Sequence, residues 1–156
     1  MAGSNPLEQL AAISTIAQSI LVVTSLVFIW FQLRQNTELT RAANVQSLVG
    51  HFTNFNALLV ENPEVASLWY AKGKQLQKAE DFYRYRELLV LWLIFHENVY
   101  YQYAKRLLDR QIYQSWHIDL RDTVREHNLS VLGIDLAQLF PGEYGQHLLS
   151  LRQAEA

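Results

Sequence analysis

Between residues 13 and 33 the chain carries no charged side chain, and these 21 residues include the runs Ile20, Leu21, Val22, Val23 and Leu26, Val27, Phe28, Ile29, Trp30, Phe31. At about 1.5 Å per residue, such a helix is roughly 30 Å long, the thickness of a bilayer's hydrocarbon core. Before residue 34 the only charge is Glu8, and all 13 Lys and Arg lie from Arg34 onward. Two solvents are implied, and a transmembrane helix is expected over 6–33.

Two other readings compete. A secretory signal peptide would need a basic leading segment, a shorter apolar stretch and a small-residue cleavage site, none of which fits here. A buried central helix of a soluble bundle remains open, because Ser14, Thr15, Gln18, Ser19, Thr24 and Ser25 make the span less apolar than many anchors. The start is well marked: Asn5 can cap, Pro6 suits the first helical position, and Glu8 meets the positive helix end. At the other end Trp30 and Phe31 suit a membrane interface, and Arg34 and Arg41 follow. By the positive-inside rule, the C-terminal side then faces the cytoplasm and a short tail, residues 1–5, lies outside.

The polar residues of the span form a pattern. Ser14, Gln18, Ser25 and Gln32 are separated by four, seven and seven residues, which puts them on one stripe of a helix. Amides facing lipid lack partners, so the stripe is expected to face another helix or water. Contact between membrane helices is the main reading, and several copies lining a pore the alternative.

No glycine or proline interrupts residues 32–49, and apolar spacing stays helical to Leu59, so a helical stalk is expected over 34–61, with Gly50 weakening but not ending it. Asn62 and Pro63 mark a restart, and a helical domain is expected over 62–156. Its strongest element, about 80–108, repeats Phe82, Tyr85, Leu89, Trp92, Leu93, His96, Tyr100, Tyr103 and Leu107 at three and four. The run 88–95 is too short to cross a bilayer and reads as the buried middle of the domain. Asp109 is placed to cap a helix to about 126 with Ile112, Trp116, Leu120 and Val124 on one face. A helix over about 130–139 and a last short one past Pro141 and Gly142 complete an all-α fold: an N-terminal transmembrane helix continuing into a helical bundle.

His96, Glu97 and Asn98 interrupt the most apolar helix, so a buried polar cluster is expected there. An ionised Glu97 in a core needs a partner, and Arg41, Asn44 or Gln46 could supply one. Such a cluster either fixes helix register or handles a proton or ligand. The five histidines contain no pair at i, i+3 or i, i+4, and no Glu is followed three residues later by His, so no metal is expected. Glu143 and His147 share a face, which a surface hydrogen bond explains. With no cysteine, thiolate metal sites, disulfides and cysteine nucleophiles are excluded. A formal net charge of −2 argues against nucleic acid. Nucleophile-elbow, phosphate-loop, dinucleotide and zinc-protease motifs are absent, so neither enzymatic activity nor a cofactor is expected.

Arg34, Gln35, Asn36, Thr37 and Glu38 directly after the hydrophobic helix, then Arg41, Ala42 and Ala43, resemble a family of uncharacterised bacterial single-pass membrane proteins. Glu97, Asn98, Val99, Tyr100, Tyr101, Gln102 and Tyr103, followed by Leu107, Leu108 and Asp109, look like its second landmark. With the start at Asn62 and Pro63, the likeness covers about 7–116. It implies a helical fold anchored in the bacterial cytoplasmic membrane and brings no assigned activity. The resulting expectation is a non-enzymatic scaffold or accessory subunit, with membrane lipids, further copies of itself or a larger membrane complex as partners. A pore and a ligand or proton sensor at Glu97 and His96 are the alternatives.

Overall fold

The structure is a computed structural model, which describes residues 5–74, 76, 78–127, 129 and 132–153, with the side chains of Glu8 and Ala12 excepted. Of the expected tail, only Asn5 falls among them. Regular structure in the described residues is helical throughout: α1 Pro6–Glu61, α2 Pro63–Tyr70, α3 Ala79–Ala104, α4 Arg110–Glu126, α5 Leu136–Leu139 and α6 Glu143–Gln153. The chain divides into two units, Met1–Ala42 and Ala43–Ala156. Helix α1 contributes to both.

Helix α1 starts as the sequence directs, with the Asn5 side-chain oxygen accepting from the Leu7 N–H at 3.3 Å and Pro6 at the first position. It runs through Gly50, where space around the backbone is open. Asn62 does not cap α2 with its side chain. Its amide instead donates to the Leu58 carbonyl at 2.8 Å, satisfying an end of α1. Asp109 likewise makes no side-chain cap, although its carbonyl accepts from the Tyr113 N–H at 3.0 Å.

Helix α3 stops where no glycine announces it. After α3 the Leu107 N–H donates to the Gln102 carbonyl at 2.9 Å and the Arg106 N–H to that of Tyr103 at 2.9 Å, with Arg106 at φ 59°. This is a Schellman closure with arginine at the position that favours glycine. Helix α2 closes the same way, with Lys72 at φ 52°. The helix expected over 130–139 shortens to α5. Ser130, its expected start, lies outside the described residues; Gly133 turns at φ 63°, and Asp135 then caps by accepting from the Ala137 and Gln138 N–H groups.

In the second unit α3 packs against α2 and α4, while α6 packs against α4 and α5. Leu89, Leu93, Leu120, Val124, Phe140, Tyr144 and Leu148 form its main core. Burying these side chains contributes about 1.5–3 kcal/mol each, before conformational entropy is set against it. The Tyr144 hydroxyl donates to the Leu93 carbonyl at 2.9 Å, tying α6 to the middle of α3. Leu48, Val99 and Leu108 form a second, smaller cluster. The run 88–95 is not buried throughout: Leu91 is 53% and Ile94 47% exposed, because they lie on the side of α3 opposite Leu89 and Leu93.

Candidate functional site

In the first unit the decisive feature is how α1 treats its polar groups. An 18-residue window of this helix has mean hydropathy 2.1 with none of it buried, so α1 is long and apolar enough to cross a membrane. Its hydroxyls fold back on the helix. Thr15, Ser19, Thr24 and Ser25 donate to the carbonyls four residues earlier at 2.8–2.9 Å. Such back-bonding removes their need for outside partners. Of the expected stripe, Ser25 is thereby satisfied locally. Gln18 and Gln32 are exposed and make no side-chain hydrogen bond among the described residues. Ser14 is exposed on the same stripe.

At the C-terminal end of the apolar span Trp30 meets Phe31 edge to face at 5.0 Å. The Arg34 guanidinium lies 5.9 Å from the Trp30 ring and 3.4 Å from the Glu38 carboxylate. An amphipathic indole beside the Arg34 cation suits the boundary between acyl chains and head groups.

In the second unit the polar cluster takes a different form from that expected. His96 is buried, and its Nε2 pairs with the Asp119 carboxylate at 3.0 Å. Glu97 and Asn44 are only half-buried, Asn98 is exposed, and Arg41 is exposed and belongs to the first unit. Among the described residues Glu97 has no ion-pair partner. The reason is angular: on α3, Asn98 turns away from the face that carries Leu89, Leu93 and His96, while Glu97, four residues after Leu93, lies at the edge of that face. Burial pushes the His96 imidazole below its ordinary pKa, against the opposing pull of Asp119. Trp92, Phe95 and Trp116 surround that imidazole at ring separations of 5.1, 5.2 and 6.3 Å. His96 is thus held by one carboxylate and packed among three rings.

Folding also brings together histidines distant in the sequence. His117 of α4 lies 5.1 Å from His147 of α6 between ring centres, and Tyr100 stacks on His147 at 5.2 Å. Burial lowers the pKa of both imidazoles, and for His147 the neighbouring His117 adds to it. Tyr103 and Tyr113 stack at 3.9 Å nearby. The expected hydrogen bond between Glu143 and His147 does not form among the described residues. His127 pairs with the buried Tyr85 hydroxyl. Among the described residues no three His, Asp or Glu side chains gather as metal ligands would.

Trp92 is the hub of the aromatic packing. Its ring lies 4.6 Å from Phe55 of α1, 5.7 Å from Trp69 of α2 and 5.3 Å from Phe95, and its Nε1 donates to the Thr123 hydroxyl at 3.2 Å. On the outer side of these rings a groove of about 360 Å³ opens between residues 51–58 of α1 and 91–98 of α3. Phe55, Trp92 and Phe95 form its walls, with Leu58, Leu91 and Ile94 along the rim. Sequence reasoning passed over it because it treated 88–95 as one buried block. The signal was there: Leu91, Ile94 and Asn98 repeat at three and four, as do His51, Asn54 and Leu58.

No family model, curated protein or solved structure matches this chain.

Proposed function

We propose that this is a non-enzymatic, single-pass membrane protein that assembles through its anchor helix, as a scaffold or as an accessory subunit of a larger membrane complex. The observation that carries the reading is the contrast within α1. Hydroxyls on the apolar span bond back to their own helix, whereas the Gln18 and Gln32 amides, on one stripe, are left for an outside partner. Amides among acyl chains are stabilised by pairing with another helix.

Arg34 and Arg41, after a span without a cation, support an orientation with residues 43–156 on the cytoplasmic side. Arg34 to Glu38 and Glu97 to Tyr103 support placing the chain among bacterial single-pass proteins of the cytoplasmic membrane. Native mass spectrometry of the full chain in mild detergent tests the assembly. Oligomers or a retained partner are expected, reduced to monomers by Gln18→Leu together with Gln32→Leu. Monomers alone from the native membrane, with no partner, would overturn the proposal. Solute flux through liposomes carrying the protein, abolished by Gln18→Leu, would favour the pore instead.

A further inference from the structure

The geometry points to the groove between α1 and α3 as a binding site for a neutral, planar ring bearing carbonyl acceptors, of the benzoquinone or naphthoquinone class. This goes beyond the anchor reading and does not depend on it, since every lining residue lies within the second unit.

Three observations select the ligand. The groove holds about 360 Å³, at the lower end of the roughly 300–1,000 Å³ typical of small-molecule sites, so it suits one or two fused rings. Phe55, Trp92 and Phe95 line it, and flat rings pack favourably against aromatic side chains. Finally, among the described residues no Lys, Arg, Asp or Glu lines it. An ion entering would lose its hydration without a counter-charge, which selects a neutral ligand.

The polar groups specify what that ligand presents. Among the described residues lining the groove, His51, Asn54 and Asn98 carry polar groups, the Trp92 Nε1 being engaged by Thr123. The Asn98 side-chain oxygen accepts from the Gln102 amide at 3.1 Å, and its amide N–H₂, without a partner among the described residues, offers a donor. His51 and Asn54 have no side-chain partner among the described residues and stand on the α1 side. A ring carbonyl between these donors would be held by hydrogen bonds while its carbon skeleton lies on the aromatic walls. A saturated hydrocarbon would leave the donors unanswered.

The test uses the full chain in mild-detergent micelles and follows quenching of tryptophan fluorescence, because Trp92 forms a wall. Menadione, a methylated naphthoquinone, is compared with methylnaphthalene, which has the same rings without carbonyls. Saturable quenching by menadione is expected, with weaker binding of methylnaphthalene. Asn98→Leu should weaken menadione about three- to ten-fold, the loss of one neutral hydrogen bond, and leave methylnaphthalene unchanged. Asn54→Phe, at an exposed position where folding is not at stake, puts a ring into the groove and should abolish saturation. Linear, non-saturating quenching, equal binding of the two compounds, or binding unchanged in Asn54→Phe would each overturn the proposal. So would self-association that Asn54→Phe abolishes while menadione fails to bind, which would give the groove to a second copy.

Discussion

Replacing Gly145 by alanine adds one methyl group where the backbone of α6 lies closest to that of residues 136–140. A Cβ there would sit 1.9 Å from the Phe140 carbonyl oxygen and 3.3 Å from that of Leu136, whereas ordinary contact begins at 3.4 Å. Both obstacles are main chain, so no side chain can rotate away, and α5 must retreat from α6 by about 1.5 Å. That retreat loosens Leu136, Phe140 and Tyr144, all buried in the main core. Overpacking costs about 1–3 kcal/mol, and a rigid backbone neighbour places this case at the upper end. Alanine returns up to about 1 kcal/mol through helix propensity. The net destabilisation is about 2 kcal/mol, which lowers the melting temperature by roughly 4–8 °C for a chain of this size.

Gly50→Ala is the matched control. It lies inside α1 with nothing within 4 Å of the added methyl, so only propensity acts and the chain gains about 0.5–1 kcal/mol. Thermal unfolding followed by near-ultraviolet circular dichroism, which reads the packed rings of the second unit, should show the two variants moving in opposite directions. If Gly145→Ala melted at or above the parent temperature, the close α5–α6 packing would be wrong.

Two further predictions follow from backbone and charge. Arg106→Gly should stabilise by about 1 kcal/mol, because a non-glycine residue in the left-handed region is strained; an unchanged or lower urea midpoint would contradict the Schellman closure of α3. Burial lowers the pKa of His96, His117, His127 and His147 below the ordinary 6.5, with Lys72 adding to the effect at His127. As pH falls through that value the unfolded chain takes up protons first, so stability is complete above about pH 6.5 and declines below it. Urea midpoints at neutral and mildly acidic pH check this, and a flat or rising midpoint on acidification would refute it.

The sequence was most legible where chemistry punctuates the chain. Asn5 and Pro6 set the start of α1, Pro63 its successor, and the absence of any break between them its length. The end of α3 was hidden because Arg106 adopts a conformation that side chains normally leave to glycine. The short α5 was hidden by the turn at Gly133 and the cap at Asp135. Among the polar residues, His96 was rightly placed in the core, but its pairing with Asp119 was not foreseen. Asp119 lies three residues after Trp116 and just before Leu120, at the edge of the apolar face of α4, where a carboxylate can reach a buried neighbour. Glu97 lies less deep than expected because, four residues after Leu93, it sits at the edge of the buried face and stays half-exposed. The pairing of His117 with His147 depends on how α6 returns to α4, and no local pattern carries that information.

The account rests on α1 residing among lipids, and alkaline carbonate extraction of membranes containing the full chain tests it most directly. After ultracentrifugation the protein should stay with the bilayer pellet and leave it only when detergent is added. Recovery in the detergent-free supernatant as a dispersed, folded protein would contradict the account.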